Sequence, residues 1–318
     1  MAHPDIIVRE VGLRDGLQLA KSFVPTETKL AWARAVAAAG VPEIEITNFV
    51  PAKVIAQFAD ATEVSKAALA IKGPNGPKIA ALAPNRKGAE NMLLAGIRNI
   101  NFVLSVSEGH NQSNVRKSTD ASFAEFENVV ALKKERPEWK NVNINGCLAT
   151  SFGCTIEGRV DPDRVLRFVD RYLELGANEI TLADTVGYAS PSEIGNLFTH
   201  TVRLAEGKPV YAHFHDTRGL GLANVYAALE AGTSGFDAST GGLGGCPFAP
   251  GASGNIVMED LVFLLEKEGL KTGVDLEKYR KAREIAEKAL PNEAFYGTIL
   301  KAGLPKGFTP PSQLIAAE

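Results

Sequence analysis

Short apolar runs alternate with amphipathic segments along this 318-residue chain, and the alternation occurs eight times. Short apolar runs bounded by turn residues are typical of strands, and the longer segments between them have helical periodicity. The predicted strands are residues 6–8, 43–46, 78–82, 99–105, 142–146, 179–182, 209–215 and 235–239. The predicted helices are residues 26–40, a segment ending near 70, then 87–95, 122–134, 162–175, 191–204, 223–231 and 258–267.

Two of these helices have clear start signals. Pro162 and Pro191 stand at helix starts, directly after Asp161 and Ser190. Proline is tolerated in the first helical turn, and Asp and Ser are favoured N-cap residues. The sequence therefore predicts N-caps at Asp161 and Ser190.

Eight strand–helix units fit an α/β fold of the (β/α)8 TIM-barrel type, whose usual size is about 250 residues. A doubly wound open sheet is the alternative, although such a sheet rarely needs eight even units. No linker or low-complexity stretch divides the chain. We expect a catalytic barrel over residues 1–273 and a C-terminal helical extension over residues 274–318, packed on the barrel.

The composition excludes several classes of protein. A net charge of −3, a pI near 6.0 and the lack of a long basic block argue against binding to nucleic acid or an anionic membrane surface. No apolar run approaches the roughly 18 residues that cross a bilayer. Three cysteines do not make a disulfide framework. Because the first strand is predicted at residue 6, we expect no leader and a reduced, cytoplasmic location.

His213 and His215 lie two positions apart in a predicted strand, in a chain with only five histidines. Side chains alternate between the two faces of a strand, so both imidazoles should point the same way. A pair of packed or surface histidines is the ordinary interpretation, and half of a metal site is the functional one. The glycine-dense segment 241–255 favours the second, because such a loop usually lets backbone approach a ligand closely.

In a barrel of this type the active site lies at the carboxyl ends of the strands. The polar residues predicted there are Arg14, Asp15, Gln18, Glu45, Asn48, Asn85, Ser107, Glu108, His110, Asn111, Asn114, Asp184, Thr185, His213, His215, Asp216, Cys246 and Asn255. Strands seven, eight and one are neighbours when a barrel closes, so both histidines, Asn255 and Asp15 can converge. Two nitrogens, a carboxylate and an amide oxygen suit Mg, Mn or a similar ion.

Three segments carry a family resemblance: residues 14–18 (RDGLQ), 213–216 (HFHD) and the loop 241–255. They resemble those of the metal-dependent acyl-CoA lyases typified by 3-hydroxy-3-methylglutaryl-CoA lyase, and the similarity extends from about residue 8 to residue 274. The wider superfamily includes isopropylmalate and homocitrate synthases, which lack the cysteine-containing loop.

The resemblance implies a retro-Claisen cleavage of a 3-hydroxyacyl-CoA to acetyl-CoA and a keto acid. It implies a divalent metal, Mg or Mn with Zn or Co as alternatives, bound by Asp15, His213, His215 and Asn255. The implied catalytic residues are Arg14, which would hold the thioester oxygen as it becomes an enolate, Cys246, which would transfer a proton, and Asp184 and Glu45. The substrate-binding candidates are Gln18, Asn85, Asn111, Asn114, Thr185, Gly244 and Gly245.

Some of these residues also have structural interpretations. Cys246 could be a buried structural thiol, Glu45 could form an inward salt bridge to Arg14, and Asp216 is better explained as a helix cap. Cys147 and Cys154 are explained by packing. The partner is expected to be a small acyl-CoA, without nucleic acid or membrane, and the family implies a homodimer or homotetramer.

The chain departs from the lyases at two positions. Asn145 stands where they carry an arginine, and Ser113 where they tend to have a lysine. Because an unpaired buried carboxylate is costly, the loss of these cations favours a different branched acyl group as an alternative, such as that of citramalyl-CoA. A condensing synthase and a metal-binding scaffold or sensor without turnover are further alternatives. The short segment after residue 273 argues against the regulatory domain of a synthase.

Overall fold

The protein is described by a computed structural model that covers residues 4–74, 76–245 and 254–314. The strands are β1 Ile7–Glu10, β2 Glu43–Asn48, β3 Lys78–Leu82, β4 Asn99–Ser105, β5 Asn143–Ala149, β6 Glu179–Asp184, β7 Val210–Phe214 and β8 Gly235–Ala238. Each strand pairs in parallel with the next, and β8 pairs with β1. The (β/α)8 TIM barrel predicted from the sequence is therefore confirmed.

The helices in these ranges are α1 Thr26–Ala38, α2 Ala61–Ala68, α3 Arg86–Leu94, α4 Glu108–Val115, α5 Thr119–Ala131, α6 Pro162–Glu174, α7 Pro191–Leu204, α8 Gly221–Glu230, α9 Met258–Lys267, α10 Leu276–Ala289, α11 Ile299–Ala302 and α12 Pro311–Leu314. The predicted caps are confirmed: Asp161 accepts a backbone hydrogen bond from Asp163, and Ser190 forms a capping box with Glu193. No helix in the described part of the chain is long and apolar enough to cross a membrane.

The strands are buried on both faces, as expected for a parallel barrel. In β2, Ile44 and Ile46 belong to the apolar core, whereas Glu43 contacts Arg9 of β1 and Glu45 lines the central cavity. Carboxylates thus alternate with apolar residues along one strand. This alternation separates a hydrophobic layer beneath the helices from a polar barrel interior.

The segment between β4 and α5 differs from the prediction. The sequence indicates a long polar loop there, but residues Glu108–Val115 form α4, capped by Ser107, which accepts a hydrogen bond from His110 N. In this helix only His110 and Asn111 are buried. Without a stripe of apolar residues, α4 has no helical pattern to detect.

The C-terminal helix α10 packs on α1 and reaches the barrel. Its Tyr279 hydroxyl donates to Glu10 at the end of β1 and lies 2.7 Å from Thr240 Oγ1. The division into residues 1–273 and 274–318 stays a prediction.

Candidate active site

The two histidines lie side by side at the carboxyl end of β7. His213 is within the strand, and His215 follows it and forms an isolated bridge with Asn255. Their Nε2 atoms are 3.2 Å apart and both side chains are buried. Two buried imidazole nitrogens at this distance can both bind one positively charged ion.

Asp15 lies near the two histidines because β1, which it follows, pairs with β8 where the barrel closes. A π-helical turn, Gly12–Gly16, follows β1 and carries both Arg14 and Asp15. Asp15 Oδ2 is 3.8 Å from His215 Nε2, and ligand atoms of Asp15, His213 and His215 all lie within 4.8 Å of one another. The structure thus brings together three of the four predicted metal ligands.

Asn255, the fourth predicted ligand, contacts this group through its amide. Its Nδ2 donates to Asp15 Oδ2 at 2.6 Å and to Leu243 O at 2.9 Å. Asn255 Oδ1 and His215 Nδ1 are buried and have no hydrogen-bond partner in the described part of the chain. Buried polar atoms are normally satisfied, so the unpartnered Asn255 Oδ1 is consistent with ligation of an ion, whereas His215 Nδ1 lies across the ring from the Nε2 atom that faces His213. The donor set fits a divalent cation that accepts nitrogen and oxygen.

The protonation states of Asp15 and His215 also suit a metal. Burial alone would raise the pKa of Asp15, but Arg14 and both histidines outweigh burial and lower that pKa to about 2. Burial and the neighbouring His213 lower the pKa of His215 to about 4. At neutral pH Asp15 is therefore ionised and His215 neutral, which are the forms that bind metals.

Arg14 is fixed between two carboxylates. Its Nε donates to Glu45 Oε2 and its Nη1 to Asp15 Oδ1, both at 2.5 Å. Asn101 Nδ2 donates to the other oxygen of Glu45 at 2.7 Å. Burial would lower the pKa of Arg14, but Glu45 and then Asp15 outweigh burial and raise it. A permanently charged guanidinium is thus held beside the histidines, and Glu45 forms the salt bridge that the sequence left as an alternative.

These groups line one cavity of about 200 Å³ at the carboxyl ends of the strands. The sequence-predicted site residues among its lining are Arg14, Asp15, Gln18, Glu45, Asn48, His110, Asn114, Thr185, His213, His215 and Gly245. Val50, Val54, Ile55 and Leu82 form an apolar part of the wall. A cavity with an apolar wall and a few convergent polar groups is typical of a small-molecule site.

Three predicted site residues instead satisfy the local backbone, and they are not among the described residues that line the cavity. Asn85 Oδ1 accepts from Gly88 N at the start of α3. Asn111 accepts from Ser105 N and donates to Lys117 O. Asp184 accepts from the backbone of the turn after β6, and burial raises its pKa. Their catalytic or substrate-binding roles stay predictions.

One glycine of the loop 241–255 has a clear structural role beside the predicted metal ligands. At Gly244, whose φ is +120°, an added Cβ would lie 2.5 Å from Asn255 Nδ2 and 3.0 Å from Asp15 Oδ2. Only glycine lets this backbone pass so close to the proposed ligands. Cys246, the predicted proton donor, lies outside the described residues. Asp216 accepts from Gly221 N at the start of α8, so it caps a helix as expected.

The sequence reasoning missed other residues at the site. Asp237, an inward carboxylate of β8, lies 3.1 Å from His213 Nδ1. A charged residue in the middle of a predicted strand was the sequence signal that it faces the barrel interior. Thr181 and Cys147 also line the cavity. The interpretation of Cys147 as a packing residue is incomplete, since it faces the cavity. Burial raises the pKa of its thiol to about 12, so the thiol is neutral.

A family profile described as HMGL-like matches residues 5–286. The chain belongs to the HMGL-like family. Members of this family depend on a divalent metal, which agrees with the cluster of Asp15, His213 and His215. The predicted family is thereby confirmed, and relatives named as hydroxymethylglutaryl-CoA lyases confirm the carbon–carbon lyase class.

Individual members of the HMGL-like family are similar over almost their whole length. Hydroxymethylglutaryl-CoA lyase YngG of Bacillus subtilis is 39% identical over 285 residues, which are 90% of this chain and 93% of that protein. The hydroxymethylglutaryl-CoA lyase of Pseudomonas mevalonii is 38% identical over 270 residues, 85% of this chain and 87% of its own. The solved structure of an HMG-CoA lyase from Acinetobacter baumannii, in complex with coenzyme A and 3-methylmalate, has 38% identity and a TM-score of 0.88 and covers 98% of this chain and 99% of that one.

Proposed function

We propose that this chain is a divalent-metal-dependent lyase that cleaves 3-hydroxy-3-methylglutaryl-CoA, or a closely similar 3-hydroxyacyl-CoA, to acetyl-CoA and a keto acid. The observation that carries the proposal is the juxtaposition of Asp15, His213 and His215 with the fixed cation Arg14 in one cavity. The family relatives named as lyases support the same reaction.

The ion would be held by Asp15, His213, His215 and Asn255. Their mixture of nitrogen and oxygen donors suits Mg or Mn better than a metal that prefers sulfur, and Zn or Co are the alternatives. When bound, a divalent ion lowers the pKa of a coordinated hydroxyl and neutralises developing negative charge. Before it binds, the described side chains keep Asp15 ionised, with His215 beside it in its neutral form.

In the reaction the 3-hydroxyl loses its proton and the bond between C2 and C3 breaks. The electron pair of that bond passes into the thioester carbonyl, and C2 then takes up a proton. Arg14 faces the cavity and would donate hydrogen bonds to the thioester oxygen as its negative charge grows. Because Glu45 and Asp15 fix the guanidinium beforehand, little reorganisation is needed when that charge appears. Cys246 remains the predicted donor to C2.

A second candidate substrate is favoured by the neutral wall on strands β4 to β6. Asn145 is fully buried, and its Nδ2 contacts Asn101 Oδ1 at 3.2 Å and Thr181 Oγ1 at 2.9 Å. Arg14 is the only Lys or Arg among the described residues that line the cavity. The Asn101 amide, the Thr181 hydroxyl and the neutral Cys147 thiol form this wall, with Asn145 behind it, and such a wall suits a shorter branched acyl group such as that of citramalyl-CoA. The complex of the similar lyase with 3-methylmalate, a short branched hydroxydiacid, supports this alternative.

Product analysis separates the two substrates. Purified protein loaded with Mn²⁺ is offered each thioester, and the products are identified by mass spectrometry. The hydroxymethylglutaryl thioester gives acetyl-CoA with acetoacetate, whereas citramalyl-CoA gives acetyl-CoA with pyruvate. 3-Hydroxybutyryl-CoA, which lacks a distal carboxylate, is the control. Release of acetyl-CoA from neither branched thioester would contradict the proposal.

Two further expectations go with this proposal. The protein is proposed to act in the cytoplasm and to assemble as a homodimer or homotetramer. Both stay predictions, which cell fractionation and light scattering of the purified protein would test.

A further inference from the structure

A buried cluster of charges lies beneath the metal site and is not used by the reaction proposed above. Arg9 of β1 is its centre, with only 1% of its side chain exposed. The guanidinium is 3.0 Å from Glu43, 3.4 Å from Glu179 and 3.2 Å from Asp237, measured between the nearest charged atoms. Lys78 joins Glu43 and Glu179 from the rim. Three carboxylates thus share two cations.

The barrel register builds this cluster. Arg9 is the Cα partner of Glu43 on β2 and of Asp237 on β8, and Asp237 is the partner of His213 on β7. The Tyr211 ring supports the guanidinium from one side, with its centroid 4.3 Å from Cζ. At Gly235, an added Cβ would lie 2.7 Å from that ring, so glycine leaves room for the stack.

Asp237 connects the cluster to the predicted metal ligands. One of its oxygens is 3.2 Å from Arg9 Nη1, and the other is 3.1 Å from His213 Nδ1. An ionised carboxylate only accepts hydrogen bonds, so Nδ1 must carry the proton of the neutral imidazole. The lone pair of His213 then lies on Nε2, the atom that is 3.2 Å from His215 Nε2.

We infer that Asp237 is a positioning residue that fixes the tautomer and orientation of His213 for metal binding, and that Arg9 holds Asp237 in place. This inference rests on the metal site of the proposed function. A carboxylate behind a ligating histidine fixes the ring and increases its basicity. Asp237 does this here from inside a barrel strand, where Arg9 shares its charge and the β7–β8 register sets its distance from the imidazole.

The test compares two isosteric variants of the full-length, metal-free protein. Asp237→Asn removes the obligate acceptor at His213, whereas Glu179→Gln removes an ion pair of Arg9 without touching His213. Relative to the wild type, calorimetric titration with Mn²⁺ should give a Kd that is roughly 10- to 100-fold larger for Asp237→Asn and changed less than about threefold for Glu179→Gln. Equal weakening in both variants, or no weakening in Asp237→Asn, would overturn the inference.

A measurement on the wild type covers the case in which Asp237→Asn does not fold. A proton–nitrogen correlation spectrum of the metal-free protein, with the His213 ring assigned by comparison with His213→Ala, reports the tautomer directly. At a pH at which the His213 ring is neutral, a proton on Nδ1 is expected, and a proton on Nε2 instead would overturn the inference. Both measurements are made without substrate, so a failure of the proposed lyase reaction would leave their outcome unchanged. Absence of Mn²⁺ binding by the wild type would overturn the metal site and this inference together.

Discussion

Arg14 shows how single side chains determine the chemistry of the cavity. Its guanidinium is fixed by Glu45 and Asp15, and Glu45 is fixed in turn by Asn101. A lysine would keep the charge, but its compact ammonium cannot reproduce the planar, forked hydrogen bonds. Arg14 is therefore expected to contribute through geometry as well as through charge.

We predict that Arg14→Lys lowers kcat by about 10²- to 10³-fold, the usual effect of removing a donor that stabilises a developing oxyanion. KM should change much less, because the interaction forms mainly in the transition state. Steady-state kinetics on the preferred thioester would test this. Arg34→Lys, an exposed residue of α1 in a weak ion pair, is the matched control. A kcat for Arg14→Lys close to that of the control would refute the assigned role.

At the scale of elements, Glu10 joins the end of β1 to three neighbouring segments. Its carboxylate accepts from Gly12 N at 2.7 Å and from Thr240 N at 3.0 Å, and the Tyr279 hydroxyl of α10 donates to it as well. An added Cβ at Gly12 would lie 2.4 Å from Glu10 Oε1. The turn that carries Arg14 and Asp15 is thus anchored to the C-terminal helix through one buried carboxyl group.

Burial raises the pKa of Glu10 from 4.5 to about 7. The folded state therefore retains a proton that the unfolded chain has lost, and this contribution to stability is fully present below pH 4.5 and is lost as the pH rises through about 7. In the wild type, the free energy of unfolding should fall by roughly 3 kcal/mol over this interval because of Glu10. We predict that this fall is absent in Glu10→Gln. Urea denaturation across the interval would measure the decrease. Glu27→Gln on the surface of α1 should retain it, and the same slope in Glu10→Gln would rule out the assignment.

At the scale of the whole molecule, the site exists only when the barrel is closed. Asp15 follows β1, the histidines belong to the end of β7, and Asn255 lies beyond β8. The pairing of β8 with β1 brings these distant parts of the chain together. An ion that binds here binds the folded state and not the unfolded chain, so metal binding should stabilise the barrel.

We predict that Mn²⁺ at about 100 times its Kd stabilises the fold by about 2.7 kcal/mol, which raises Tm by about 4 °C in a chain of this length. Differential scanning calorimetry would measure the shift. His215→Ala should abolish it, and His200→Ala, an exposed histidine of α7, should preserve it. An equal shift in both variants would place the ion elsewhere.

The architecture was predictable from the sequence because each strand and helix carries its own local signal. Eight buried strands, the proline-marked helix starts and the caps at Asp161 and Ser190 are local features, and the structure has all of them. Helix α4 was not predictable, because it buries little and has no apolar stripe. Its N-cap Ser107 was visible, but a serine before a polar segment is also typical of a turn.

The candidate site was predictable where spacing within one strand decides the outcome. Alternation along β7 places His213 beside His215, as the structure has them. Asp237 and Arg9 were missed because their roles depend on register between strands: a charged residue within a strand signals an inward position but does not reveal its partner. Asn85 and Asp184 show the opposite difficulty, since a polar residue at a strand end can cap a backbone turn as readily as it can face a ligand.

The central claim is tested most directly by measuring acetyl-CoA release from 3-hydroxy-3-methylglutaryl-CoA, with and without added Mg²⁺ or Mn²⁺, in the wild type, His213→Ala and His200→Ala. We predict metal-dependent release in the wild type and in His200→Ala, and none in His213→Ala, since His213 is one of the three clustered residues that could hold the ion. Release that needs no metal, or that survives the loss of His213, would contradict the account. If the wild type binds the metal but releases nothing, the site would stand and hydroxymethylglutaryl-CoA would be excluded as its substrate.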